Sequence, residues 1–204
     1  MMRKTAFHSL VVLLLAIFIG GAVASCGKTV SRRQSKEQID LSGRWNDVDS
    51  QQVSKKMIDD VMTWPWIEDW MKKSGKKPVV VTYGVKNRSH EHINTQTFMK
   101  DLERAFLRSG KVRVVADTEQ RDSVREERAG QQMGLTGNPA AIGKELGADY
   151  VLTGTINSII DKEGGEKVVF YQIDLELIAV ETSEKAWIGN EKIKKLVTQS
   201  RNKF

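Results

Sequence analysis

An α/β or α+β domain, with a mixed sheet of about four to five strands and helices packed against it, is the fold class this chain predicts. Three observations predict it. Helical and strand spacings alternate between residues 50 and 147. Beyond them, Val169, Tyr171, Ile173, Leu175 and Leu177 alternate with Val168, Phe170, Gln172, Asp174, Glu176 and Ile178, so that strand has one buried and one wet face. Gly164-Gly165 and Thr182-Ser183-Glu184-Lys185 then supply two turns, which make the C-terminal part an antiparallel meander.

Order is expected to begin near Ser50. Met57, Ile58, Val61 and Met62 fall at helical spacing, with Asp49 or Ser50 as the cap. Pro65 ends that helix and starts another, because proline is tolerated in a first turn and not in mid-helix. Trp64, Trp66 and Trp70 crowd into seven residues. They read as a buried seam where this region packs on the sheet, with an exposed partner-binding patch as the other reading.

Pro78 to Val85 is a strand, broken by the polar residues Lys86 to Ser89. Phe98, Leu102, Ala105, Phe106 and Leu107 mark an amphipathic helix that Ser109-Gly110 closes. Val112, Val114 and Val115 form a short strand, and Thr118 to Arg128 a strongly charged helix. After a loop at 134 to 138, Asn138 is expected to cap a helix with Pro139 in its first turn, stopping at Gly147. Tyr150 to Ile156 opens a long strand, residues 162 to 166 turn, and the last strand lies around Ala186 to Gly189.

The residues before Ser50 are of another kind. Arg3 and Lys4 precede an apolar run from Leu10 to Ile19, followed by the small residues Gly20 to Ser25. That is the layout of a secretory signal. Ten apolar residues make a helix of about 15 Å, half a bilayer core, too short for a comfortable span. Cys26 is the only cysteine of the 204 residues, so it cannot form an internal disulfide. Val23-Ala24-Ser25-Cys26 resembles the bacterial lipobox, which implies lipid attachment at Cys26 and cleavage before it. The expected organisation is a lipoprotein signal peptide at 1–25, a lipid-anchored flexible tether at 26–49, and a globular domain at 50–204 with a tryptophan-rich helical region at its start.

Removal of Arg3 and Lys4 with the signal takes 32 basic residues to 30 against 26 acidic, a net charge of +4. No block of five like charges occurs, and an exported compartment holds no nucleic acid to bind. Catalytic constellations are also missing. The chain has no Gly-x-Ser-x-Gly elbow, no His-Glu-x-x-His helix and no phosphate-binding P-loop. His90-Glu91-His92 could grip a metal from one strand face, or sit as solvated imidazoles in an exposed loop. No cofactor or metal is expected, and catalysis is not.

From Lys86 onward a series of short motifs occurs in order. Asn87-Arg88-Ser89 follows the first strand, and Ser109-Gly110-Lys111-Val112 leads into the second. Gly147-Ala148-Asp149-Tyr150-Val151-Leu152 opens the third, Tyr171 to Leu177 forms the fourth, and Thr182 to Trp187 closes the set. Over residues 78 to 195 this series resembles the LpoB-type lipoproteins, activators of bifunctional penicillin-binding proteins. The resemblance implies a fold like the N-terminal domain of TolB. It also implies an outer-membrane lipoprotein, facing the periplasm, that binds a class A penicillin-binding protein and promotes peptidoglycan synthesis.

Such an activator works by binding one state of its target better than another. The candidates for its binding face are Asn87, Arg88, Tyr150, Arg121 and Arg125. The first three lie in the family-like motifs, and the two others rest on helical spacing and charge. Arg88 reads equally as a loop-stabilising hydrogen-bond donor, and Tyr150 as a core residue at a strand edge. The alternative function is an envelope assembly lipoprotein, such as a subunit resembling the curli secretion channel. A pore needs extra amphipathic strands of about 9–11 residues, and the chain has too few strands to spare.

Overall fold

The computed structural model describes residues 31–34, 37, 39, 42–134, 136–137, 140 and 144–198. The expected signal peptide and Cys26 lie outside the described residues, as do ten of the 24 residues of the expected tether. The chain divides into two compact units, Met1–Glu37 and Gln38–Phe204. Within the first, Arg33 and Glu37 form an ion pair at 3.7 Å.

The second unit holds the elements α1 (Asp47–Thr63), α2 (Trp66–Ser74), β1 (Val79–Arg88), α3 (Gln96–Ser109), β2 (Arg113–Val115), α4 (Thr118–Gln132), β3 (Tyr150–Glu163), β4 (Glu166–Ala179) and β5 (Lys185–Thr198). The five strands form one sheet in the order β2-β1-β3-β4-β5. β1 runs parallel to both neighbours, and β3, β4 and β5 form the expected meander. The mixed sheet follows from the connections. A helix carries the chain between parallel strands, whereas the two-glycine turn at Gly164 and Gly165, both at positive φ, closes a tight hairpin.

One face of the sheet is covered. Val169, Tyr171, Ile173, Leu175 and Leu177 of β4 are fully buried, as the alternation requires. Leu152 and Ile156 of β3 and Trp187 of β5 join them in the core. α1 packs on β5 and on α3, and α3 packs on β1 and β2. Each large apolar side chain so buried contributes about 1.5–3 kcal/mol of transfer free energy. Charges that enter this layer are paired. Lys195 Nζ lies 2.6 Å from Asp49, and Lys56 Nζ lies 2.6 Å from Glu191. Trp187 donates its indole N–H to Asp60 at 2.7 Å, which ties β5 to α1.

The structure corrects the sequence reading at four places. α1 starts at Asp47, because Asn46 and Asp49 cap each other's backbone N–H groups and so fix the start three residues before Ser50. β1 does not break at Lys86; it runs to Arg88, since pairing of Lys86, Asn87 and Arg88 with Thr155, Ile156 and Asn157 satisfies their backbone whatever their side chains. β5 continues to Thr198, held by its ladder to β4. Residues 144–149 carry no helix, and the rest of the helix expected from Asn138 lies largely outside the described residues. The tryptophans divide. Trp66 is buried and donates to the Val61 carbonyl at 2.8 Å, and Trp70 is half-buried, whereas Trp64 is 46% exposed. The seam reading holds for two of the three.

Candidate partner-binding surface

The face of β3, β4 and β5 opposite the core carries the alternate residues, and all of these are partly or fully exposed. Strand register sets them in rows. Arg88 stands beside Asn157, which stands beside Gln172 and then Lys192. The next row toward the β3–β4 hairpin is Ile159, Phe170 and Lys194. Leu196 sits beyond it, opposite Val168. Ile159 is 66% exposed and Leu196 64%. An apolar centre with Arg88, Lys192 and Lys194 around it is therefore open to solvent. Toward the middle of the sheet the surface becomes polar, where Asp174 accepts from Gln172 at 3.0 and 3.1 Å and from Asn190.

The five candidates fall in three places. Asn87 organises the turn after β1. Its Nδ2 donates to the Glu91 carbonyl at 2.7 Å, and its Oδ1 accepts the Ser89 N–H at 2.9 Å and hydroxyl at 2.7 Å. Arg88, next to it, is exposed and lies in the open-face row. Arg121 and Arg125 meet on one carboxylate. Arg125 holds Glu145 through two hydrogen bonds at 2.8 and 3.0 Å, and Arg121 and Arg128 approach it at 3.8 and 3.6 Å. The Arg125 hydrogen bond holds the Glu145 carboxyl below its usual pKa and raises that of Arg125. Arg121 also donates Nε–H to the Ala116 carbonyl at 2.7 Å.

Tyr150 is elsewhere. It pairs with Val80 at the start of β3, seven residues from Asn157, or about 23 Å along the strand. It is 7% exposed, with Trp66 and Trp70 against it edge-on at 5.3 Å each. Burial, then Asp149 and Asp69, push its hydroxyl pKa up. Tyr150 is thus a core residue of the tryptophan seam.

His90 and Glu91 serve the fold. His90 Nδ1 lies 2.6 Å from the Ser158 hydroxyl, its ring stacks on Tyr171 at 6.2 Å, and Glu91 accepts the Trp45 N–H at 2.9 Å. No group of three or more metal-ligating side chains converges among the described residues. Sequence reading misses Ile159, Lys192, Lys194 and Leu196, the last three because they lie beyond the strand expected around Ala186 to Gly189. The signal that could have found Ile159 is its phase, an apolar residue at an odd position in a strand whose core residues Leu152 and Ile156 are even.

Fold and surface together define a class: a small α+β domain with one sheet face packed under helices and the other open to solvent. The family model of the peptidoglycan-synthase activator LpoB matches residues 49–193, and the chain belongs to that family. The family is regulatory, made up of envelope lipoproteins that act with penicillin-binding proteins. Similar solved structures include the LpoB C-terminal domain from Salmonella enterica, 23% identical over 66% of this chain and 94% of that one, TM-score 0.34. The LpoB C-terminal domain from Escherichia coli is 20% identical over 72% and 98%, TM-score 0.36. Lipoprotein GNA1162 from Neisseria meningitidis is 19% identical over 61% and 88%, TM-score 0.37. Comparison with curated proteins finds no match. Among the described residues no helix is long and apolar enough to cross a membrane.

Proposed function

We propose that this chain is a non-catalytic lipoprotein, anchored through Cys26 to the outer membrane and facing the periplasm, that binds a class A penicillin-binding protein and promotes peptidoglycan synthesis. The observation that carries the reading is the family match over residues 49–193. The single cysteine after a small-residue stretch supports the anchor. The docking face proposed is the open sheet surface around Arg88, Ile159 and Lys192, where an apolar centre offers burial and the cations around it orient an acidic partner. A 10- to 100-fold preference for the active state of the enzyme needs about 1.4–2.8 kcal/mol, which a few contacts supply.

The test is reconstitution. The purified protein is expected to bind the bifunctional synthase of its own organism and raise its glycan output, while leaving lipid-linked precursor untouched when alone. Arg88→Glu should weaken binding with little change in melting temperature, since Arg88 is exposed. Absence of binding and stimulation would remove the reading. Cys26→Ala should shift the protein from the membrane fraction to the soluble one or stall it as precursor; a processed, membrane-bound variant would refute the anchor.

A further inference from the structure

At the end of the sheet away from the hairpin, α2, the start of β3 and the turn between β4 and β5 enclose a cleft of about 280 Å³. Its walls are tied together. The Val180 N–H donates to the Asp149 carbonyl at 2.9 Å, and the Ala179 N–H to the Glu184 carbonyl at 2.8 Å. Four carboxylates line it: Asp69, Asp149, Glu181 and Glu184. Among the described residues none of the four is in an ion pair, in a chain whose net charge is positive. Asp149 is spent on the Val79 N–H at 2.8 Å and Glu184 on the Thr182 hydroxyl at 2.9 Å; Asp69 and Glu181 make no side-chain hydrogen bond among the described residues. Lys73 also lines the cleft, one helical turn from Asp69, and does not pair with it.

A second observation is independent of the carboxylates. Tyr150 is more than nine-tenths buried, yet it lines this cleft, and its hydroxyl has no hydrogen-bond partner among the described residues. The hydroxyl is also not sealed away from solvent: the buried side-chain polar atom left without a partner is Trp70 Nε1. A core tyrosine therefore presents an uncommitted hydroxyl to the cleft, beside the Trp70 ring.

The chemistry selects the ligand. An anion meets an excess of three negative charges. A metal ion needs convergent ligands, and no such group exists among the described residues. A neutral apolar group would strip water from carboxylates without pairing them. A guanidinium or primary ammonium offers several donors for the carboxylates and the hydroxyl, and its charge suits the Trp70 and Tyr150 rings. We propose that this cleft is a binding site for an organic cation, either the basic side chain of a partner polypeptide or a free amine of the same chemistry. The site lies far from the open face proposed for the synthase and does not rest on that reading.

The experiment follows the indole resonance of Trp70 in the purified full chain, assigned by its loss in Trp70→Phe. The probes are agmatine and the tripeptide acetyl-Gly-Arg-Gly-amide, with the citrulline tripeptide as the uncharged control. Both cations are expected to shift the resonance saturably and the control to leave it in place. Asp69→Asn combined with Glu181→Gln should weaken binding by about tenfold. Both residues are exposed, so the melting temperature should hold. Lys73→Gln should tighten binding by removing the resident competitor. Tighter binding of the tripeptide assigns the cation to a partner's side chain, and tighter binding of agmatine to a free amine. No saturable shift with either probe, or an affinity unchanged in the double variant, overturns the proposal. Synthase stimulation is read separately, so the two ideas fail apart.

Discussion

In α1 the Asn46 side chain accepts the N–H of Asp49 while Asp49 accepts that of Asn46, and in α4 Asp117 and Gln120 make the same reciprocal pair. Past their first turns the two helices diverge. α1 buries Val53, Met57 and Val61 against β5 and α3. α4 buries no residue, and Met133 at its end is 77% exposed. What holds α4 is polar: Asp122 to Arg125 at 2.9 Å and Glu127 to Gln131 at 2.8 Å within the helix, and the arginine contacts with Glu145 outside it. Solvent screens exposed pairs of this kind, so each contributes little. Capping sets where a helix starts; apolar spacing sets whether it belongs to the cooperative core.

The largest test of that contrast lies under α1. Leu175→Asp puts a charge without a partner among fully buried residues and should unfold the domain, a loss of about 4–5 kcal/mol or more by chemical denaturation. An unchanged melting temperature would mean the covered face is assigned backwards. Met57→Ala on α1 is expected to cost about 2–5 kcal/mol through lost burial and the cavity it leaves.

Alkaline titration tests the same packed layer. Burial, then Glu91, raises the Tyr171 hydroxyl well above its ordinary value. The folded state therefore favours the neutral hydroxyl. Stability should be intact below about pH 10, where the unfolded chain also keeps its proton, and should be lost as pH rises beyond it. Urea unfolding should show a shallower alkaline decline in Tyr171→Phe; an identical decline would assign the loss to other groups.

The smallest effects separate the two helices most directly. Asn46→Ala should lower global stability by about 1 kcal/mol, because α1 unfolds with the core. Asp117→Ala removes the same kind of cap. It should speed amide exchange within α4 and leave the global transition within about 0.5 kcal/mol. Equal global losses would show that α4 is part of the core after all.

Local chemistry by itself determined most of the fold. The period-two pattern of Val169 to Leu177, the Gly164-Gly165 turn and the helical spacing of Phe98, Leu102 and Phe106 each report a preference that the neighbouring residues already express. Arg88 was a candidate through the family-like motif Asn87-Arg88-Ser89, and the polar run Lys86 to Ser89 marked it as exposed. Only the tertiary structure decided where pairing outlasts sequence preference. β1 runs through Lys86 to Arg88, and β5 to Thr198, because a ladder partner satisfies backbone groups that side chains do not advertise. It also decided that Arg121 and Arg125 share Glu145, and that Tyr150 sits in the aromatic seam and lines a cleft with four carboxylates. Those groups are far apart along the chain, and spatial convergence of distant residues leaves no periodic trace in a sequence.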